Sequence, residues 1–368
     1  MKKILITLFI FLFGFTLQAL PANITDFGAV PNDGISDADA IRAALRSVEQ
    51  ACGGEIIIPK GEFLLDESIT TDFHGGCGYI HLAIKGETGA EIRVSVGAGN
   101  TALVMNTLKS LAIDHIVFLG VDVPFSDPLF TDAGTVIEAH TIETVVLDYV
   151  FFYGIAVDKA IIRTFNSNLR VFNSQFSGSA AYYPEGTYIL GDHDISGNAW
   201  QSIKIENCQF LDYANYKRDY LNKTPYFMTG SYVRTKAPSP YGAAMTRGRL
   251  EIRDTIFDEG SHTAVTATDT PYVDLKGISI NMNNTTNATG IRLTNVKYAV
   301  IDQSVADWQP GYFLTTYYVD YIKVNALTFK AGSAIWKNLG KTTMVIDYCP
   351  VCVLNPPPTG ANKKPGTK

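Results

Sequence analysis

The residues best equipped for chemistry stand together in Gly191-Asp192-His193-Asp194-Ile195-Ser196. If Ile195 turns inward on a strand, Asp194 and Ser196 face outward, and Asp192 shares that face if the strand reaches so far. Carboxylates at i and i+2 then lie roughly 5–7 Å apart, a spacing at which paired carboxylic acids hydrolyse glycosidic bonds. His193 adds a titratable neighbour. The same residues also suit a polar strand start built on turn-forming Asp. Asp192, Asp194 and His193, with Arg247 from a later segment, are the candidate catalytic residues.

A second cluster has the opposite charge. Between Leu211 and Arg249, the basic residues Lys217, Arg218, Lys223, Arg234, Lys236, Arg247 and Arg249 are met only by Asp212 and Asp219, in a chain whose net charge is −6. A basic island on an acidic body suits an anionic partner, while the negative total argues against general nucleic-acid binding. Rings crowd the same stretch and the one before it: Tyr182, Tyr183, Tyr188, Trp200, Tyr213, Tyr216, Tyr220 and Tyr226. Exposed rings suit sugar faces. The expected substrate contacts are therefore Lys217, Arg218, Arg234, Lys236, Tyr182, Tyr183, Trp200, Tyr213 and Tyr216. On a uronate polymer, such cations would neutralise the carboxylate while a base, Tyr or His193, removes the C5 proton before the glycosidic oxygen leaves.

These groups have to be positioned by a repeat. A pattern of two alternating apolar residues and a bulky one seven places after the first recurs as Leu111/Ile113/Phe118, Val145/Leu147/Phe152, Leu169/Val171/Phe176, Ile203/Ile205/Phe210, Leu250/Ile252/Phe257, Val273/Leu275/Ile280, Tyr298/Val300/Val305 and Ile322/Val324/Phe329. The steps are 34, 24, 34, 47, 23, 25 and 24 residues, too short for propeller blades or helical-pair repeats and too strand-rich for a leucine-rich horseshoe. A further strand row passes through Ile137, Ile161, Ile195, Val265 and, within a residue, Ile291 and Leu314. The fold class is thus all-β, a parallel β-helix with three strands per coil and about 24 residues per coil, whose units bury their apolar faces only by stacking. The bulky row predicts an internal aromatic stack, and Asn173, Asn207, Asp254 and Asp302 predict one corner of left-handed turn residues. The long steps place insertions 119–134, 177–192 and 211–241 at a single corner, where loops on a rigid scaffold tend to carry binding residues.

Composition sets the frame. Residues 1–22 read as a secretory signal peptide: Lys2-Lys3, an apolar run from Ile4 to Leu17, and small residues at Ala19 and Ala22. The expected domains are that signal, one β-helix domain over 23–354, and a disordered Pro/Lys-rich tail over 355–368. The product is expected to be secreted or periplasmic, with no stable membrane insertion after signal cleavage. Cys52 and Cys77 lie in Gly-rich turns about one coil apart and are able to pair, as are Cys349 and Cys352, which leaves Cys208 as a free, partly buried thiol. No cofactor is demanded. Calcium is the one metal the sequence suggests, at Asn32, Asp33, Asp37 and Asp39, where turn and capping roles also explain the residues.

The stretches Asp26-Phe27-Gly28-Ala29-Val30-Pro31-Asn32-Asp33-Gly34, Asp37, Ala40-Ile41 and Gly53-Gly54-Glu55-Ile56-Ile57-Ile58-Pro59-Lys60-Gly61-Glu62-Phe63 resemble the N-terminal signature of the pectate lyase superfamily. In that superfamily the signature caps right-handed parallel β-helices in polygalacturonase-like hydrolases, polysaccharide lyases and phage tailspikes. The resemblance covers the first 45 or so residues after the signal and implies the fold and its handedness. From the residues themselves, Ser36 is the expected N-cap with Asp39 at the third helical position, and Ile41, Ala44, Leu45 and Val48 form one apolar stripe over the end of the solenoid. The segment around Asp192 loosely resembles the Asn-Thr-Asp-Gly-Ile-Asp stretch of polygalacturonase-like hydrolases. The Asp-Asp pair, Gly-His-Gly and Arg-Ile-Lys of that family have no counterpart here.

The expectation is a secreted protein that binds and cleaves an acidic, uronic-acid-containing polysaccharide by lyase or hydrolase chemistry. The alternative is a non-catalytic surface or adhesion β-helix. The oligomeric state is not readable from the sequence.

Overall fold

A computed structural model describes residues 20–73, 77–120, 132–177, 180–181, 187–192, 201–211, 231–236, 248–258, 263–281, 289–308, 312–329 and 336–346. They form a right-handed parallel β-helix with three faces per coil. Face one holds Thr144–Asp148, Leu169–Phe172, Gln201–Glu206, Gly248–Arg253 and Tyr272–Lys276. Face two holds Val117–Gly120, Phe151–Tyr153, Gln175–Ser177, Gln209–Leu211 and Ile256–Asp258. Face three holds Ala133–His140, Ala156–Phe165, Thr187–Asp192, Ser231–Lys236 and Thr263–Thr268. Faces three and one merge into a single sheet because Thr289–Asp302 and Tyr312–Asn325 turn the corner unbroken, while face two is a separate ten-stranded sheet. Among the described residues, no helix is long and apolar enough to cross a membrane.

Parallel strands in register put like residues one coil apart, about 4.8 Å, and that spacing makes the aromatic stack. Phe118, Phe152, Phe176, Phe210 and Phe257 follow one another at centroid distances of 5.1, 5.0, 4.7 and 5.0 Å, all fully buried. Tyr188 enters beside them at 5.8 Å from Phe176. Ile280 and Ala306 continue the row, and Phe329 pairs with Ala306.

Two corners run on left-handed backbone. Asn173, Asn207, Asp254 and Gln303 have φ of 47°, 55°, 45° and 47° where face one passes into face two. Their amides carry the ladder on to the next coil, Asn207 N–H to the Arg253 carbonyl and Asp254 N–H to that of Lys276. Asn207 Nδ2 also donates to Asn173 Oδ1 at 2.7 Å, so the short amide both tolerates the turn and links coils. The second corner, from face three into face one, holds Asn166, Asp269, Asn295 and Tyr318. Cys208 is free and fully rather than partly buried. Its thiol takes the place of Ser174 and Thr255 in neighbouring coils, bonding the Glu206 carbonyl, and burial pushes its pKa up to about 11.

One unit of the expected repeat is out of register. Val273 pairs with Ala299, Leu275 with Ile301, and Ile280 with Ala306, so the inward set is Ala299/Ile301/Ala306 rather than Tyr298/Val300/Val305. The corner residue is accordingly Gln303 rather than Asp302. A one-residue slip exchanges the faces of a strand: Ala299 is buried and Tyr298 exposed.

The helix Ala38–Gln50 closes the first coil with Ile41, Ala44, Leu45 and Val48 buried. Its N-cap residue is Asp37 rather than Ser36. The Asp37 carboxylate accepts the amides of Val30 at 3.0 Å and Leu64 at 2.8 Å, tying the cap to face two. Asn32 accepts from the Glu62 amide, and Asp33 from that of Ile35. These carboxylates and the amide therefore hold turns, and no cluster among the described residues has the makings of a metal site. Cys52 and Cys77 form a disulfide with Cα atoms 5.2 Å apart. Thr342–Ile346 supplies the last described strand, Met344 pairing with Ile322. Cys349, Cys352 and the expected tail lie outside the described residues, as does most of the expected signal.

Candidate functional site

Face three brings together charged groups that the alternation turns outward. Ile137, Ile162, Ile189, Val233 and Val265 form its inward row. Glu138, Arg163, Leu190 and Arg234 follow by one residue, and His140, Phe165 and Asp192 by three, so both sets point out. Arg163 is the centre. Its Nη2 donates to Asp192 Oδ2 at 2.9 Å, its Nη1 lies 3.6 Å from Glu138 Oε2, and its guanidinium stands 4.3 Å over the Phe165 ring. His140 donates through Nε2 to Glu138 Oε1 at 2.7 Å and stacks on Phe165 at 4.4 Å. Burial raises the pKa of Glu138, but the His140 hydrogen bond and the Arg163 charge outweigh it, so the carboxyl is held below its usual range. The arrangement is a half-buried cation gripped by two carboxylates over an aromatic floor.

The structure corrects the residue expected to orient the catalytic pair. The row position assigned to Ile195 belongs to Ile189, in the strand Thr187–Asp192. Asp192 ends that strand, paired with Phe165 on one side and Lys236 on the other. Arg234 stands across from Leu190. Asp194, His193, Arg247, Lys217, Arg218, Tyr182, Tyr183, Trp200, Tyr213 and Tyr216 lie outside the described residues, as does the side chain of Lys236.

The insertions also differ from the expected single corner. The chain leaves face two at Gly120, Ser177 and Leu211 and reaches the isoleucine row of face three only after long segments, as anticipated. Yet eight residues, 193–200, also separate Asp192 from face one, and eleven, 237–247, separate Lys236 from it, where neighbouring coils use three. The extra length is split between both ends of the strands Thr187–Asp192 and Ser231–Lys236, which carry Asp192 and Arg234.

Glu138, His140, Arg163 and Phe165 escaped the sequence reading. The row was drawn through Ile161, which turns Arg163 inward, whereas Ile162 is the residue in register. Both isoleucines are buried, so hydrophobicity does not choose between them. A signal was present in Val136-Ile137-Glu138-Ala139-His140, an apolar strand whose charged residues all have one parity.

No family model matches the chain, and no curated protein matches its sequence. Solved structures do. PfbA, a surface adhesin of Streptococcus pneumoniae, superposes with a TM-score of 0.60 at 13% identity, covering 89% of this chain and 91% of that one. Tailspike gp49 of Acinetobacter baumannii bacteriophage Fri1, a capsular polysaccharide depolymerase, gives 0.59 at 13% identity over 88% of this chain. Tailspike protein 3 of bacteriophage CBA120 gives 0.50 at 13% identity over 89%. At this level of identity the likeness is one of fold. The chain spans 57% of the length of each tailspike.

Proposed function

We propose that this chain is an extracellular carbohydrate-active β-helix that binds an acidic polysaccharide along face three and cleaves it beside Asp192. The observation that carries the reading is the Asp192–Arg163 ion pair, with Arg234 on the next coil across from Leu190, on face-three strands that long segments both precede and follow in sequence. The likeness to a depolymerising tailspike supports the same reading. Asp192 already holds Arg163 through Oδ2, which favours a cation-lined site over a bare carboxylate pair and hence a lyase over a hydrolase. In that chemistry Arg234, with Lys217, Arg218, Lys236 and Arg247, neutralises the uronate carboxylate. A base, His193 or a tyrosine, takes the C5 proton, the C4–oxygen bond breaks as the C4=C5 double bond forms, and the departing oxygen gains a proton.

Digestion of polygalacturonate, alginate and hyaluronan tests this. Products absorbing in the ultraviolet identify a lyase, lost on Arg234→Ala. New reducing ends without that absorbance identify a hydrolase, lost on Asp192→Asn. The likeness to an adhesin supports a second reading, glycan capture without cleavage, for which saturable binding without products is the expected result.

A further inference from the structure

Five tyrosines gather near the C-terminal end, where face three turns into face one: Tyr272, Tyr298, Tyr317, Tyr318 and Tyr321, on three successive coils. Tyr272, Tyr298, Tyr317 and Tyr318 are 49%, 38%, 42% and 52% exposed, too open for their rings to serve chiefly as core. Tyr298 and Tyr321 stack 5.2 Å apart and within 3° of parallel, and Tyr317 meets Tyr318 edge to face at 4.4 Å.

The backbone does not favour a ring at this corner. The two preceding coils use Asp269 and Asn295 at the left-handed position, with Asn295 Nδ2 donating to Asp269 Oδ1 at 2.8 Å. Tyr318 takes the next place at φ 53°, breaking the polar ladder with a bulky residue in a conformation that suits Asn better. Strain of this kind persists where something other than folding selects it. Gly340, one coil on, makes room for the pair. A Cβ there would sit 3.0 Å from the Tyr318 nitrogen and 3.4 Å from Tyr317 Cδ2. Lys297 and Asp320, exposed beside Tyr298 and Tyr321, add polar groups of both signs. Half-exposed rings with hydroxyl edges and mixed polar neighbours match a pyranose, which has an apolar face and a rim of hydroxyls. The coil rise of about 4.8 Å sets the rings in a line along the solenoid axis, which fits an extended chain better than a single sugar.

We propose that this tyrosine corner is a second glycan-binding site, holding an oligosaccharide segment along the axis. Tyr317 continues the outward row of Asp192, reached through Lys236, Thr268 and Thr294. Four coil steps separate the two, about 19 Å, so one polymer can engage both. The proposal shares the ligand class of the preceding reading and does not depend on cleavage.

Retardation of the purified chain in native gels containing polygalacturonate, alginate, hyaluronan or hydroxyethylcellulose tests it, with melting temperature measured alongside. At least one polymer is expected to retard the parent, and Tyr318→Asn to weaken that retardation about tenfold, a loss of about 1.4 kcal/mol, while melting at the same or a higher temperature. If Tyr318→Asn melts lower, the double variant Tyr298→Ala/Tyr321→Ala decides instead, with the same tenfold loss expected. Arg234→Ala keeps the tyrosine-dependent part of the retardation, which separates failure of face three from failure of this site. Absence of retardation by every polymer, or retardation of the deciding variant equal to the parent's, overturns the proposal.

Discussion

Two charge networks on this solenoid use the same residue types at the same coil spacing and differ in their surroundings. On face three, Arg163 is 22% exposed, lies over Phe165, and holds Asp192 and Glu138. On face one, Arg249 is 53% exposed and reaches Glu251 at 3.3 Å and Asp274 at 3.2 Å, while Arg253 meets Glu251 at 2.7 Å. The carboxylates are covered alike, Glu251 at 15% and Asp274 at 28% against Glu138 at 15% and Asp192 at 26%, so the difference lies in the cations, and a pair made by an exposed arginine contributes little. In the face-three network the guanidinium of Arg163 is itself partly desolvated. A ladder of charges along a β-helix is thus a by-product of strand register, and the burial of the cation is what distinguishes the two faces.

The largest expected effect tests the scaffold common to both networks. Phe210→Ala should cost about 3–5 kcal/mol, since it removes a ring stacked on both sides within the core, and thermal or denaturant melting checks it. A variant that melts like the parent would remove the rigid frame on which the comparison stands. Next, Arg163→Ala should cost about 1–3 kcal/mol because two partly buried carboxylates lose their charged partner, while Arg249→Ala should cost under about 1 kcal/mol. Equal losses in denaturant melts would erase the distinction between the faces.

A smaller effect concerns pH. The pKa of Glu138 is lowered in the folded state, so its ionised form contributes stability above the unfolded carboxylate pKa, and this is lost as pH falls through the folded value. Glu138→Gln should therefore melt below the parent at pH 7, by about 1 kcal/mol, and the gap should close in acid. A gap that persists unchanged at pH 3 would mean that packing rather than charge holds Glu138 in place.

The sequence made the solenoid legible because a stacked coil repeats its apolar and turn positions at a fixed interval. Phe118 to Phe257 and the corner at Asn173, Asn207 and Asp254 could be read that way. Register failed where small or doubly buried residues blur the alternation, at Ala299 beside Tyr298 and at Ile162 beside Ile161. The same weakness hid the site. A row through Ile161 turns Arg163 inward where Ile162 is in register, and Ile189 rather than Ile195 holds its row because the extra residues are split between two corners instead of one. Asp192 draws notice as a candidate because the acids Asp192 and Asp194 flank His193 locally. Its partner Arg163 does not, because a contact across coils leaves no short-range mark.

The measurement that bears most directly on the central claim is the affinity of Arg234→Ala and Arg249→Ala for polygalacturonate, alginate and hyaluronan, across a range of salt. Face three as the glycan surface predicts that the polymer bound by the parent binds Arg234→Ala about tenfold more weakly, with binding that falls as salt screens the charge, and binds Arg249→Ala as it binds the parent. Equal affinity for both variants, or a loss confined to Arg249→Ala, would contradict it.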